Sequence, residues 1–154
     1  MKTSHCAFNI TRQSFISLGV AIADSPLTRL RGLLGKMRMR SDEALWVVPS
    51  RGIHTIGLMF AIDVLYLDAK LGVIEAIESL APLRVSPIRL QCASILELPA
   101  RSIADSGTKI GDELLICSPE EMEQYWTSQT PEQEMKIPGA GGHSKSPPAW
   151  KRVG

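Results

Sequence analysis

Short apolar runs, broken by polar pairs and turn residues, make up most of this chain. "AFNI" (7–10) and "FISLGVAIA" (15–23) are separated by the polar "TRQS", which suits two strands and a tight connection. Asp24 or Ser25 can cap a helix whose first turn holds Pro26, where a missing N–H costs nothing. Leu27, Leu30, Leu33 and Leu34 then recur at helical spacing and Gly35 can stop the helix, which predicts one main helix over about 25–35. "ALWVV" (44–48) ends at Pro49 and reads as a buried strand. "DVLYLD" (63–68) and "GVIEAIESL" (72–80) flank a hairpin-like connection. "SILEL" (94–98) stops at Pro99, a short turn or helix covers "SIADSG", and "ELLIC" (113–117) closes the series. Strands dominate and are short, so the expected class is α+β and β-rich: a compact, barrel-like antiparallel sheet with one main helix.

After Cys117 the pattern changes. "SPEEMEQYW" has a helix-start signature, with Ser118 as cap, Pro119 at the first position and Glu121 reaching back, and predicts a terminal helix over 118–126 that docks Met122, Tyr125 and Trp126. From Thr127 onward the chain is rich in Pro, Gly, Ser and Gln, acidic first and basic last, and reads as a disordered tail. The expected organisation is an N-terminal extension over 1–6, one globular domain over 7–117, the terminal helix, and the tail over 127–154.

Phe15–Ala23 admits a second reading. Its apolar run ends in Ala21-Ile22-Ala23, a small-x-small pattern that resembles a secretory cleavage site. However, a signal's apolar core follows its positive charges directly, and here Gln13 and Ser14 come between Arg12 and the run. Cleavage would also delete two predicted strands. The strand reading, and with it a cytoplasmic protein, is the expectation; export is the alternative if this stretch acts as a signal peptide. No apolar run reaches the ~18 residues that a membrane-spanning helix needs.

Composition narrows the picture little. At 154 residues, 44% hydrophobic and 21% charged, the chain has enough material for one sizeable core. A net charge of +1 gives no global attraction to nucleic acid. Arg29, Arg31, Lys36, Arg38 and Arg40 do cluster without an acid until Asp42, but with few aromatics for stacking, and nucleic acid is not an expected partner. Cys6, Cys92 and Cys117 are odd in number, scattered, and form no C-x-x-C pair, which suits a reducing compartment and gives neither a zinc site nor a disulfide framework.

Candidate chemistry is sparse. "GLLGKM" fails as a phosphate-binding loop because Leu30 and Met37 stand where Gly and Ser or Thr are required. His54 in "RGIHTIG" taken alone reads as a buried, hydrogen-bonded structural histidine, since a metal site needs three or four ligands. Asp63 interrupts "LMFAIDVLYLD" and Glu97 interrupts "SILELP"; such carboxylates cap a turn, pair with an arginine such as Arg31, or line a site. Cys92 and His54 would suit a nucleophile and base, but nothing in the sequence brings them together.

In order along the chain, "NITR" (9–12), "VAIADSPLTRLRGLLG" (20–35), "IHTIGLMFAIDVLYLD" (53–68), "LELPA" (96–100) and "GTKIGDELLI" (107–116) resemble the domain-of-unknown-function family 192 of small prokaryotic proteins. The resemblance covers about residues 7–117 and implies a compact β-rich domain in which "VAIAD" is a strand; it implies no activity. It retains Arg31, Gly32, Gly35, His54, Thr55, Asp63, Asp68, Glu97, Gly111 and Asp112. Met59 and Ala61 stand where family members often carry arginine and proline, and Arg101 stands where they usually carry glycine. Either the Arg101 loop has an ordinary backbone conformation or Arg101 tolerates strain.

These features point to a non-enzymatic binding or accessory module. Its polar patch would join His54 and Thr55 to Asp63 and Arg31, with Glu97 a further ligand-binding candidate, for a small anionic ligand or a protein partner. No cofactor or metal is implied. One alternative is a hydrolase or lyase with Asp63 or Glu97 as base and His54 as acid. Another is an accessory partner of an envelope or pilus-assembly system that uses the tail.

Overall fold

A computed structural model describes residues 3–25, 28 and 32–129. Residues 1–119 and 120–154 form two compact units. The first contains seven strands: β1 (Thr3–Asn9), β2 (Ser14–Ala23), β3 (Glu43–Val47), β4 (Ile62–Leu67), β5 (Val73–Leu80), β6 (Ser94–Pro99) and β7 (Leu114–Cys117), with a short helix α1 (Ser102–Ser106) before β7.

The strands form one sheet in the order β5-β4-β6-β3-β2-β1-β7. It is β-rich and barrel-like, as the pattern predicts. All pairs are antiparallel except β2 and β3, which run parallel with Gly19 opposite Glu43 and Ala23 opposite Val47. A parallel neighbour requires a long crossover, and residues 24–42 supply it. The sheet curls until its two edges meet at one end. There Gly72 bridges Glu113, the Val73 N–H donates to Asp112 O (2.9 Å), and the Leu114 N–H donates to Leu71 O (3.1 Å).

Alternation along the strands divides the apolar residues between two faces. On the concave face every strand contributes, with Ala7, Val20, Ala44, Leu65, Val73, Leu96 and Leu114 among the contributors, and Ile103 of α1 plugs the curl. The barrel is therefore filled. On the convex face the central strands present Ala21, Leu45, Val47, Ile62, Val64, Tyr66 and Ile95, covered by Leu33 and Leu58 from loops. β4 is buried at all six positions because it is covered on both faces, and "IDVLYL" accordingly lacks a polar alternate.

Five of the eleven residues of the helix predicted over 25–35, Arg31 included, lie outside the described residues. Its start follows the expectation and its end does not. Ser25 is the cap: its N–H donates to Thr28 Oγ1 (3.0 Å), and the Thr28 N–H donates back to Ser25 Oγ (3.2 Å), a reciprocal capping pair. The helix does not run to Gly35 as expected: the Gly32 N–H donates to Thr28 O (2.8 Å), Gly32 is already at φ +41, and residues 32–35 are turn. Phe15–Ala23 falls wholly within β2, bonded to β1 on one side and β3 on the other. A helix α2 spans Pro119–Gln129, all but its first residue in the second unit. Helix thus continues through Thr127 and Ser128, where the tail was expected to begin, with both hydroxyls bonding carbonyls of the preceding turn (2.8 Å each). The disordered-tail reading for 130–154 lies outside the described residues.

Candidate functional site

The residues expected to form one polar patch are distributed over different parts of the fold. Asp63 is fully buried on the concave face, where its Oδ1 accepts from the Ser79 N–H (2.9 Å) and its Oδ2 from the Ile103 N–H (3.0 Å). It secures a β5 irregularity, with Ser79 at φ +53, and the first turn of α1. Both oxygens are committed to backbone donors.

Glu97 lies on the opposite, convex face, directly between Leu45 of β3 and Val64 of β4. It is 7% exposed, makes no hydrogen bond among the described residues, and burial raises its pKa to about 8. Asp63 and Glu97 are therefore separated by the thickness of the sheet and cannot act on a common atom. The Asp63–Glu97–Arg31 set weighed from sequence is not brought together: two members are on opposite faces and Arg31 is outside the described residues.

Thr55 is fully buried and connects two loops, residues 49–61 and 81–93. Its Oγ1 donates to Ala81 O (2.7 Å) and accepts from the Arg84 N–H (2.9 Å); its N–H donates to Arg84 O (2.8 Å) and its carbonyl accepts from the Leu83 N–H (3.1 Å). Further rungs join Ile53 to Ser86 and Arg51 to Arg89. From beneath, the Tyr66 Oη donates to Pro87 O (2.7 Å), its phenol pushed to higher pKa by burial. Gly57, at φ +87, lets Leu34 approach so closely that a Cβ would lie 2.5 Å from Leu34 Cδ2. The "GLLG" and "IHTIGL" motifs thus meet here, although the side chains do not form the expected patch.

His54 corrects the expectation drawn from it alone. It is exposed and its ring makes no hydrogen bond among the described residues, since it sits on the outer edge of the loop pair, opposite Val85 in an isolated bridge. It lines a groove of about 510 Å³ with Arg51, Ile53, Ile56, Val85 and Ile88. The groove is mostly apolar, with Arg51 and His54 supplying its polar character. Sequence reasoning missed Arg51, Ile56, Val85 and Ile88, because loop residues have no periodicity to mark a shared face. One signal was legible: neither loop contains a carboxylate. No group of three or more His, Cys, Asp or Glu among the described residues could hold a metal ion.

Other motif residues are structural. Asp112, 2% exposed, accepts from Arg12 Nε (2.9 Å), Asn9 Nδ2 (3.0 Å) and the Lys109 N–H (2.8 Å). Burial raises its pKa, but these donors outweigh it and leave the value at about 2. Asp68 Oδ1 accepts from the Lys70 and Gly72 N–H groups in the β4–β5 turn (2.8 Å each). Arg101 has φ +79, so of the two alternatives the strained one holds.

The curled sheet with two clipped loops on its convex side defines a small β-rich α+β domain, and two solved structures share that fold. One, from Sinorhizobium meliloti, is a protein proposed to be a transcription regulator (19% identity, TM-score 0.62, covering 75% of this chain and 94% of that one). The other, from Novosphingobium aromaticivorans, is a protein of unknown function (14% identity, TM-score 0.63, covering 73% and 83%). No curated protein matches the chain. The family model DUF192, described as an uncharacterized ACR, matches residues 8–116, and the chain belongs to that family.

Proposed function

We propose that this domain is a non-enzymatic binding module whose groove beside Arg51 and His54 takes an apolar group carrying negative charge. One observation carries the reading: an apolar groove edged by a guanidinium and an imidazole, on two loops without a carboxylate. Apolar lining supplies affinity through buried area, and the cation orients an anionic end. The loops are held together before any ligand arrives, by Thr55, Ser86 and Tyr66, so binding costs little ordering. An acid–base enzyme finds less support, because Asp63 has no oxygen to spare and Glu97 lies on the other face of the sheet.

Decanoate, an apolar chain with one carboxylate, is a suitable probe. Titrated into the protein while amide shifts are followed, it is expected to saturate with shifts concentrated at residues 51–56 and 85–88. Arg51→Gln and Ile88→Asp are each expected to weaken binding about tenfold, a loss of about 1.4 kcal/mol. Shifts scattered over the surface, or affinity unchanged in both variants, would remove the groove as a site.

A further inference from the structure

The surface around the groove is more apolar than a single ligand requires. Of the ten large hydrophobic residues exposed among the described residues, six lie on the two clipped loops: Ile56, Met59, Leu83, Val85, Ile88 and Leu90. Five of these are between 72% and 77% exposed. They rise from loop backbone that the Thr55 and Ser86 hydrogen bonds hold in place, three of them (Ile56, Val85 and Ile88) around one groove. Such a concentration marks an interaction surface.

Charge identifies the occupant. Arg51 and Arg84 are exposed between these side chains, and neither is paired with a carboxylate among the described residues. Arg89 is ion-paired with Glu75, which neutralises one of the two acids of β5. A second copy of this chain docked through the same face would bring two more unpaired arginines into the contact, and like charges in a desolvated contact oppose association. Apolar side chains that project from a fixed framework beside unpaired cations suit an anionic bilayer surface: they enter the headgroup–acyl boundary while the guanidinium groups meet lipid phosphates. An acidic peptide would instead need a groove that encloses its side chains, and Met59, Leu83 and Leu90, each about three-quarters exposed, do not line the groove.

We infer that the loops 49–61 and 81–93 form a peripheral docking face for a membrane surface rich in anionic lipid. The inference rests on the groove reading above and extends its ligand from one amphiphile to a layer of them. The face does not span; no helix among the described residues is long and apolar enough to cross a membrane.

The test is co-flotation of the full chain with vesicles of phosphatidylcholine alone or with about a third phosphatidylglycerol, at low and at physiological salt. Binding is expected only with the anionic lipid and is expected to weaken with salt. The double variant Arg51→Gln/Arg84→Gln, and separately Leu83→Ser/Leu90→Ser, should each reduce the bound fraction about tenfold. Ile110→Ser is the control: Ile110 is also exposed but lies where Gly111 bonds Val73, at the far end of β5 from the 81–93 loop, and its loss should change nothing. Thermal melts establish that each variant is folded.

Absence of binding to the anionic vesicles, or binding equal in wild type and both variants, overturns the inference. So does tight binding of an acidic amphipathic Leu/Glu peptide that the vesicles do not match. If vesicles fail while decanoate still saturates, the docking face falls and the groove stands. If vesicles bind with the expected variant losses while decanoate does not, the face stands without the groove.

Discussion

At the residue scale, Asp63 and His54 exchange the roles that their sequence settings suggest. A carboxylate in "FAIDVLYL" looks like a site acid, yet its oxygens hold two backbone N–H groups in a fully buried position. Asp63→Ala leaves both donors unsatisfied and is expected to destabilise the domain by about 2–4 kcal/mol, measured by denaturant unfolding. His54 looks like a core histidine but is exposed, so His54→Ala should leave the melting temperature within a degree or two, about 0.5 kcal/mol at most. An early melt of that variant would mean the ring is packed after all. Arg101 occupies the left-handed region at φ +79. Arg101→Gly relieves that strain and is expected to raise stability by about 1 kcal/mol, despite the extra freedom glycine has when unfolded. None of these placements is readable from spacing alone, because burial of a polar side chain depends on which backbone donors the fold brings to it.

At the element scale the sequence was more transparent. Short apolar runs bounded by turn residues locate β2 through β7, because a chain reversal must use Gly, Pro or polar residues, whereas β1 begins at Thr3, inside the stretch expected to be an N-terminal extension over 1–6. The parallel β2–β3 pairing was not legible, since alternation says nothing about direction. The clipped loops escaped detection for a related reason. Their order comes from Thr55 and Ser86 bonding residues about thirty positions away. Thr55→Val keeps the volume but removes the hydroxyl that serves Ala81 and Arg84, and is expected to cost about 1–3 kcal/mol and to loosen the decanoate site. Amide exchange that quickens at 81–90 while β4 and β6 stay protected would be the signature. Gly57→Ala places a side chain at φ +87 and against Leu34, and should cost about 1 kcal/mol or more.

At the scale of the whole molecule, two buried carboxyl groups, Glu97 on β6 and Asp112 in the turn before β7, set the pH dependence of stability. Glu97 is raised from the ordinary 4.5 to about 8 by burial, so between those values the folded chain holds a proton that the unfolded chain has lost. Its contribution is complete below about 4.5 and declines as pH rises to about 8, with a slope of up to about 1.4 kcal/mol per pH unit. Asp112 works in the other direction: its value falls from 3.8 to about 2, so its contribution is present above 3.8 and lost as pH falls toward 2. Stability is therefore expected to peak in mildly acid solution and to decline on both sides. Melts of Glu97→Gln against wild type from pH 4 to 9 test the alkaline limb, which should flatten in the variant. An unchanged slope would mean that Glu97 is not the group responsible.

The sequence by itself determined the β-rich class, the order and bounds of most elements, and the family. These follow from local alternation, capping and turn chemistry, all written over a few residues at a time. Only the tertiary structure decided that the barrel is filled, that Asp63 and Glu97 face opposite ways, and that Arg51, His54, Val85 and Ile88 share a groove. Those relations depend on strand order, on the curl that brings Gly72 to Glu113, and on hydrogen bonds between loops far apart in the chain. A one-dimensional pattern records which face of its own strand a residue takes, but not which loops that face will meet.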